Sequence, residues 1–225
     1  MKIFIVGKDR EEVTPFFAEQ GFSVVEKGFD FVVSYGGDGT LMKAEEQFPG
    51  VPKIVLKNSA ICKKCSPFSN EEVLKKIKSG KYITEEMPKL EVIVRDQKLI
   101  GMNDIIVHNK DPRHAMRYRI SVNGKPVSYE IIGDGIVAAT PFGSTAYYRS
   151  ITDSFFEIGI GLAFNNSTEQ SDHMLLSEKS VIELEVTRGP ALVYADNQET
   201  IIDIDTGEKI RIVRSEHKAK IVVVI

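Results

Sequence analysis

The chain has 225 residues, 42% of them hydrophobic, enough apolar material for one large core or two modest ones. Twenty-nine Lys and Arg against 32 Asp and Glu leave a formal charge of −3, so there is no basic footprint for nucleic-acid phosphates or anionic lipid, and both partner classes are set aside. The N-terminus, MKIFIVGKDREE, reaches charged residues after a handful of apolar ones, too few for a signal-peptide core or a membrane span, and the protein is expected to be cytoplasmic.

In chain order, KIFIV, FSVV, FDFVVSY and KIVL are short apolar runs separated by polar or helix-forming stretches, the pattern of a parallel α/β sheet. A helix is expected from Asn70 as N-cap, with Glu71 and Glu72 in its first turn, Val73, Leu74 and Ile77 buried, and Gly80 as its stop. After Met87-Pro88 the texture changes to alternating strands and tight turns: LEVIVRD, RYRISV, IELEV, TIIDI, KIRIV and AKIVVVI. Asn123-Gly124 suits a type I′ hairpin, and Asp205-Thr206-Gly207-Glu208 supplies a later break. The expected fold is an α/β domain over residues 1–84 followed by an all-β sandwich over 85–225, with the boundary near Tyr82 to Pro88 and an interdomain cleft as ligand site.

FDFVVSYGGDGTLMKAEEQF places a strand, a glycine-rich turn and a helix start in succession, which presents backbone N–H groups to a phosphate. Gly36, Gly37 and Gly39 clear side chains from the backbone and permit positive φ. The spacing fits neither G-x-x-x-x-G-K-[ST] nor G-x-G-x-x-G, so ordinary P-loop and Rossmann assignments are not supported. Asp38 is unusual there, because a carboxylate repels phosphate unless it holds a metal ion or takes a proton from an attacking hydroxyl. Taken alone, an Asx-turn or a cap on the helix at Thr40 is the better explanation.

Cys62 and Cys65, the only cysteines, flank Lys63 and Lys64 in a single C-x-x-C. Four-ligand zinc needs two further ligands, and His108, His114, His173 and His217 are scattered, so no metal site is expected. A redox pair activated by the lysines is the alternative to two plain loop cysteines.

A second strand-to-turn-to-helix transition follows in DGIVAATPFGSTAYYRS, with a break at Pro141-x-Gly143 and Ser144 and Thr145 as candidate N-caps. The succession GGDGT, then Asn103-Asp104 within a strand, then DG-x-V-x-x-TP-x-GSTAY resembles the NAD kinase family over roughly residues 30 to 200. GGDG alone is shared with lipid kinases and phosphofructokinases, whereas Asn-Asp with TP-x-GSTAY is more specific. The resemblance implies ATP or polyphosphate as donor, Mg²⁺, and phosphorylation of the adenosine-ribose 2′-hydroxyl of NAD to give NADP. It further implies the two-domain fold already inferred and a homodimer or homotetramer.

By the same resemblance Asp38 is the general base, with Gly36, Gly37, Gly39 and Thr40 near the phosphates. Asn103 and Asp104 contact the ribose and nucleotide, a carboxylate being able to accept both protons of a ribose diol. Thr145, Ala146 and Tyr147 meet the bases, the small Ala146 admitting a flat ring and Tyr147 offering a stacking face, although Tyr147 reads equally as a core residue. Asp134 and Ser150 add polar contacts, although Gly133-Asp134-Gly135 also reads as a β-turn. Asp196 resembles the aspartate of a late Asp-Gly-Gln motif without its glycine and is left outside the predicted site.

The chain departs from the family in three places. The expected N-x-G-x-x-G-F-L loop is Asn58 followed by Ser59-Ala60-Ile61-Cys62-Lys63-Lys64-Cys65, without glycine, so the lysines either meet phosphates or form a solvated basic patch. The segment after Tyr147 is Tyr148-Arg149-Ser150-Ile151-Thr152, and Phe142 replaces a small hydroxyl residue. The sequence ends at AKIVVVI. Two alternatives therefore stand beside NAD kinase: a related lipid-type kinase, and a weakly catalytic relative that binds NAD or NADP.

Overall fold

The structure, a computed structural model, describes residues 1–7, 10–169 and 171–225. It divides into two compact units, Met1–Met87 with Lys218–Ile225, and Pro88–His217.

The first unit runs β1 (Lys2–Gly7), α1 (Arg10–Glu19), β2 (Ser23–Val24), β3 (Phe31–Gly36), α2 (Asp38–Gln47), β4 (Lys53–Lys57), α3 (Asn70–Lys78) and the start of β5 (Tyr82–Val94). Strands β2, β1, β3 and β4 lie side by side and parallel, the arrangement that helical crossovers between strands impose. The continuous apolar runs of β3 and β4 follow from burial on both faces. One face packs Ile3, Ile5, Val33, Ile54 and Leu56 with Phe17 and with Leu74 and Ile77 of α3. Lys53 is fully buried because its ammonium pairs with the carboxylate of Glu45 and the carbonyl of Phe48.

Helix α3 corrects the expected cap. Ser69, not Asn70, is the N-cap, closing a reciprocal capping box with Glu72, while the Asn70 amide bonds to the backbone of Lys57 in both directions. Gly80, at φ +72°, follows the helix end as expected.

The second unit continues from β5 through β6 (Gln97–Gly101), β7 (Asp104–Asn109), β8 (Met116–Val122), β9 (Lys125–Pro126), β10 (Ile131–Gly133) and β11 (Gly135–Ala139). A 3₁₀ turn (Gly143–Thr145) leads into α4 (Tyr147–Thr152), then β12 (Ile160–Asn165), β13 (His173–Leu176), β14 (Ile182–Arg188), β15 (Ala191–Ala195), β16 (Ile202–Ile204) and β17 (Lys209–Val224). One sheet is ordered β13-β12-β11-β7-β15-β16. The other layer pairs β10 with β8, β8 with β14, and β14 with the beginning of β17, all antiparallel. Tyr118, Ile120, Leu184, Val186 and Ile210 of one layer meet Ile105, Val107, Ile136, Leu162 and Val193 of the other, which makes the unit the expected sandwich. Asn123 and Gly124 both take positive φ, as a type I′ hairpin requires.

In the first unit the C-terminal end of β17 lies parallel to β4, with Ile221 opposite Lys53. Among the described residues no helix is long and apolar enough to cross a membrane.

Candidate active site

In the first unit β3 ends at Gly36 and α2 begins at Asp38, with Gly37 as its N-cap. A β-carbon on Gly36 would fall 2.2 Å from the Thr40 hydroxyl oxygen, so this turn closes only without a side chain there. Gly37 sits at φ −112°, so the turn needs glycine for space and not for the positive φ expected from the sequence. Gly39 and Thr40 lie in the first turn of α2, where the Thr40 N–H donates to the Gly37 carbonyl at 3.0 Å.

Asp38 is neither the cap of α2 nor an Asx-turn residue. Its carboxylate reaches the 58–65 loop, where Oδ2 accepts the Lys63 N–H at 3.2 Å and Oδ1 accepts the Lys64 N–H at 3.0 Å. Cys62 and Cys65 are joined as a disulfide, and Cys62 Sγ contacts Asp38 Oδ1 at 3.4 Å. Burial lowers the basicity of the Lys64 amine, opposed by the Asp38 charge and reinforced by Lys63, so this lysine is not the freely solvated member of a surface patch.

In the second unit, Met102 and Asn103 form the tight turn between β6 and β7, with Asp104 opening β7. Asp196 holds this turn. Its Oδ2 accepts the Met102 N–H at 2.7 Å, and its Oδ1 accepts the N–H groups of Asn103 at 2.7 Å and Asp104 at 3.1 Å. The Asp196 N–H in turn donates to the Asp104 carbonyl at 3.0 Å. Asp196 takes φ +49°, a left-handed conformation that aspartate tolerates better than most residues.

The TP-x-GST segment clamps the other side. The Thr140 N–H donates to the Asn103 carbonyl at 2.8 Å, and its hydroxyl donates to the Met102 carbonyl at 2.7 Å. Gly143 passes so close that a β-carbon would lie 2.1 Å from the Asn103 carbonyl oxygen. Ser144, expected as an N-cap, donates its hydroxyl to the Pro141 and Phe156 carbonyls; α4 begins after Ala146, which makes no side-chain cap, and Thr145 closes the 3₁₀ turn.

With its backbone tied down, the turn leaves acceptors available. Asn103 Oδ1 is buried and accepts no hydrogen bond among the described residues. The Asp104 carboxyl is pushed up to about 7, first by burial and then by the facing Asp196 charge. Burial also raises Asp196, but three N–H donors favour its ionised form, so in this coupled pair Asp104 is the carboxyl that takes the proton.

Tyr147 stands beside this pair. Its ring is half-buried, and its hydroxyl accepts the Asn165 amide at 3.1 Å. Burial raises it above the ordinary phenol range, the Asn165 bond acts the other way, and the charges of Asp134 and Asp104 add to the rise. Asp134 is more than a turn residue: its backbone bonds Asn109 and Asn165, and its carboxylate collects the amides of Asn109 at 3.3 Å and Asn166 at 3.1 Å. Ser150 is exposed, with its hydroxyl donating to the Tyr147 carbonyl one turn back.

The departure after Tyr147 has a packing cause. Tyr148 is fully buried against Phe156 at 5.1 Å between ring centroids, over Gly161, whose missing side chain gives both rings room. Asp196, Asn109, Asn165 and Asn166 lie outside the sequence-predicted set. Only Asp196 had a signal, in its likeness to the Asp-Gly-Gln motif.

Among the described residues no three His, Cys, Asp or Glu side chains gather as a metal site. Asp38 alone is a poor cage for a hard cation, so the donor set does not fit a resident Mg²⁺.

The family profile described as the ATP-NAD kinase C-terminal domain matches residues 102–224. The NAD kinase of Saccharolobus solfataricus is 32% identical over 210 residues, covering 89% of this chain and 82% of that protein. That of Saccharolobus islandicus is 34% identical over 144 residues, covering 64% of this chain and 57% of its own length, so the match spans little more than half of those relatives. An NAD kinase from Archaeoglobus fulgidus, solved in complex with ATP, superposes with a TM-score of 0.80 at 23% identity over 98% of this chain and 93% of its own. The yeast NADH kinase complexed with NADH gives 0.83 at 19% identity, covering 100% of this chain and 84% of its own. At these identities the two structures bear on the fold alone.

Proposed function

The chain belongs to the NAD kinase family, and on that premise we propose that it transfers a phosphoryl group from ATP or polyphosphate to the 2′-hydroxyl of the adenosine ribose of NAD, forming NADP. The observation that supports this most is the doubly clamped Asn103-Asp104 turn. Its backbone groups are consumed by Asp196 and Thr140, while the Asn103 amide oxygen and the Asp104 carboxyl are left for a ligand rich in hydroxyl and amine donors. A nucleoside is such a ligand, and the neighbouring Ala146 and Tyr147 suit a flat ring.

In this reading the Asp104 carboxyl binds the ribose diol, and Tyr147 and Thr145 line the base. Asp38 takes the proton of the 2′-hydroxyl as the oxygen bonds to the terminal phosphorus and the bond to the leaving phosphate breaks. The N-terminal end of α2, opened by Gly37 and running through Gly39 and Thr40, turns the positive end of its dipole to the transferring phosphate. A divalent cation enters with the donor as part of that substrate, neutralising phosphate charge.

The test is NADP formation from NAD, Mg²⁺ and ATP or polyphosphate in a coupled dehydrogenase assay, with Asp38→Asn run in parallel. A loss of about 10²–10⁴-fold in turnover with dinucleotide binding retained is expected of a general base. Near-parental turnover in Asp38→Asn removes that role. Tight NAD binding without any turnover in the parent would instead identify a dinucleotide-binding relative.

A further inference from the structure

The loop 58–65 carries no glycine, yet it packs directly over the glycine turn. A β-carbon on Gly37 would lie 3.1 Å from the Ile61 carbonyl oxygen and 3.3 Å from the Ser59 β-carbon. The two N–H groups that bind Asp38 belong to Lys63 and Lys64, the two residues enclosed by the Cys62–Cys65 bond. A ring of four residues fixes the spacing of both donors, so each carboxylate oxygen receives one N–H and keeps a lone pair for a further proton.

We propose that the Cys62–Cys65 disulfide is a redox-sensitive positioning element for Asp38: the oxidised ring holds the carboxylate in its working orientation, and opening the ring withdraws it. This rests on Asp38 acting as the base in the proposed reaction. Reduction by a dithiol cleaves the S–S bond, transfers two electrons and two protons to give two thiols, and leaves the reductant as its own disulfide. Two effects then act together. The loop loses the closure that spaces its donors. The new Cys62 thiol, whose sulfur lies 3.4 Å from Asp38 Oδ1, donates its proton to the oxygen that already accepts the Lys64 N–H, filling that oxygen's second lone pair, lowering the basicity of the carboxylate and leaving only Oδ2 to meet the substrate hydroxyl. Both cysteines are only partly buried, so the thiolate of an external dithiol can reach the S–S bond.

The experiment uses the whole chain prepared without reductant. Alkylation under denaturing conditions is expected to find no free thiol before, and two after, treatment with dithiothreitol. Reduction is expected to lower kcat by about 3- to 100-fold, the range that misplacing a reacting group produces, with KM for NAD unchanged and activity restored on reoxidation. Cys62→Ala/Cys65→Ala should sit below the oxidised parent and ignore the reductant. A reduced chain with two titrated thiols that turns over at the oxidised rate overturns the proposal, as does a chain that carries two free thiols as prepared. Asp38→Asn separates the two ideas: if it is inactive while the parent is redox-insensitive, only the disulfide's part falls; if it is active, the base assignment falls and the disulfide's part with it.

Discussion

The carboxylate of Asp196 accepts the backbone N–H of Asp104 at 3.1 Å, while the carboxyl of Asp104, pushed up to about 7 first by burial, faces the same charge. One aspartate thus fixes the chain that carries the other and adds to the rise that burial of Asp104 begins. Tyr147 and Tyr194 feel the Asp104 charge, and Lys89 stabilises the charge on Asp196.

The pH dependence of stability follows from the direction of that shift. The folded value of Asp104, about 7, lies above its ordinary value of 3.8, so the folded chain binds more protons than the unfolded one in between. The stability gained is fully present below the lower value and is lost as pH rises through the upper one. Asp104→Asn, neutral throughout, should therefore melt above the parent at pH 8, with a gap that widens from pH 5 and levels off above about pH 7. Calorimetric melts across that range check it, and a constant gap would contradict burial as the cause.

Asn103→Ala separates binding from folding. Its Oδ1 is a buried acceptor that receives no hydrogen bond among the described residues, so removing it deletes a desolvation cost and no bond to that oxygen. The melting temperature should stay level or rise, while KM for NAD increases about 10-fold or more and KM for the phosphate donor stays put, as for a lost dinucleotide contact worth ~1.4 kcal/mol. Equal changes in both KM values would remove Asn103 from the dinucleotide site.

Asp196→Ala should do the opposite to stability. It strands three backbone N–H groups, each costing about 1–3 kcal/mol if it stays buried and unpaired, and it frees the turn that carries Asn103. Denaturant unfolding should show a loss of several kcal/mol, accompanied by a higher KM for NAD. An unchanged unfolding midpoint would mean that solvent satisfies those groups and that the turn holds its shape without the aspartate.

Much of the architecture is written locally. Period-two apolar alternation, turn pairs such as Asn123-Gly124 and the glycines of the β3–α2 turn each act over a few residues, and that is why the α/β half, the sandwich and the order of the motifs could be read from the sequence by itself. The partners of polar groups could not. Asn70 has the chemistry of a cap, but its amide finds the Lys57 backbone and Ser69 caps the helix instead. Asp38 has the chemistry of an Asx-turn, yet Lys63 and Lys64 lie within reach and take its carboxylate. Asp196 holds the Asn103 turn from the turn after β15, far along the chain. A hydrogen bond between distant residues, and the charge a buried carboxyl carries, depend on which groups the folded backbone brings within about 3 Å and on how much water it excludes. Neither quantity exists until the sheets have packed, so the tertiary structure alone decided them.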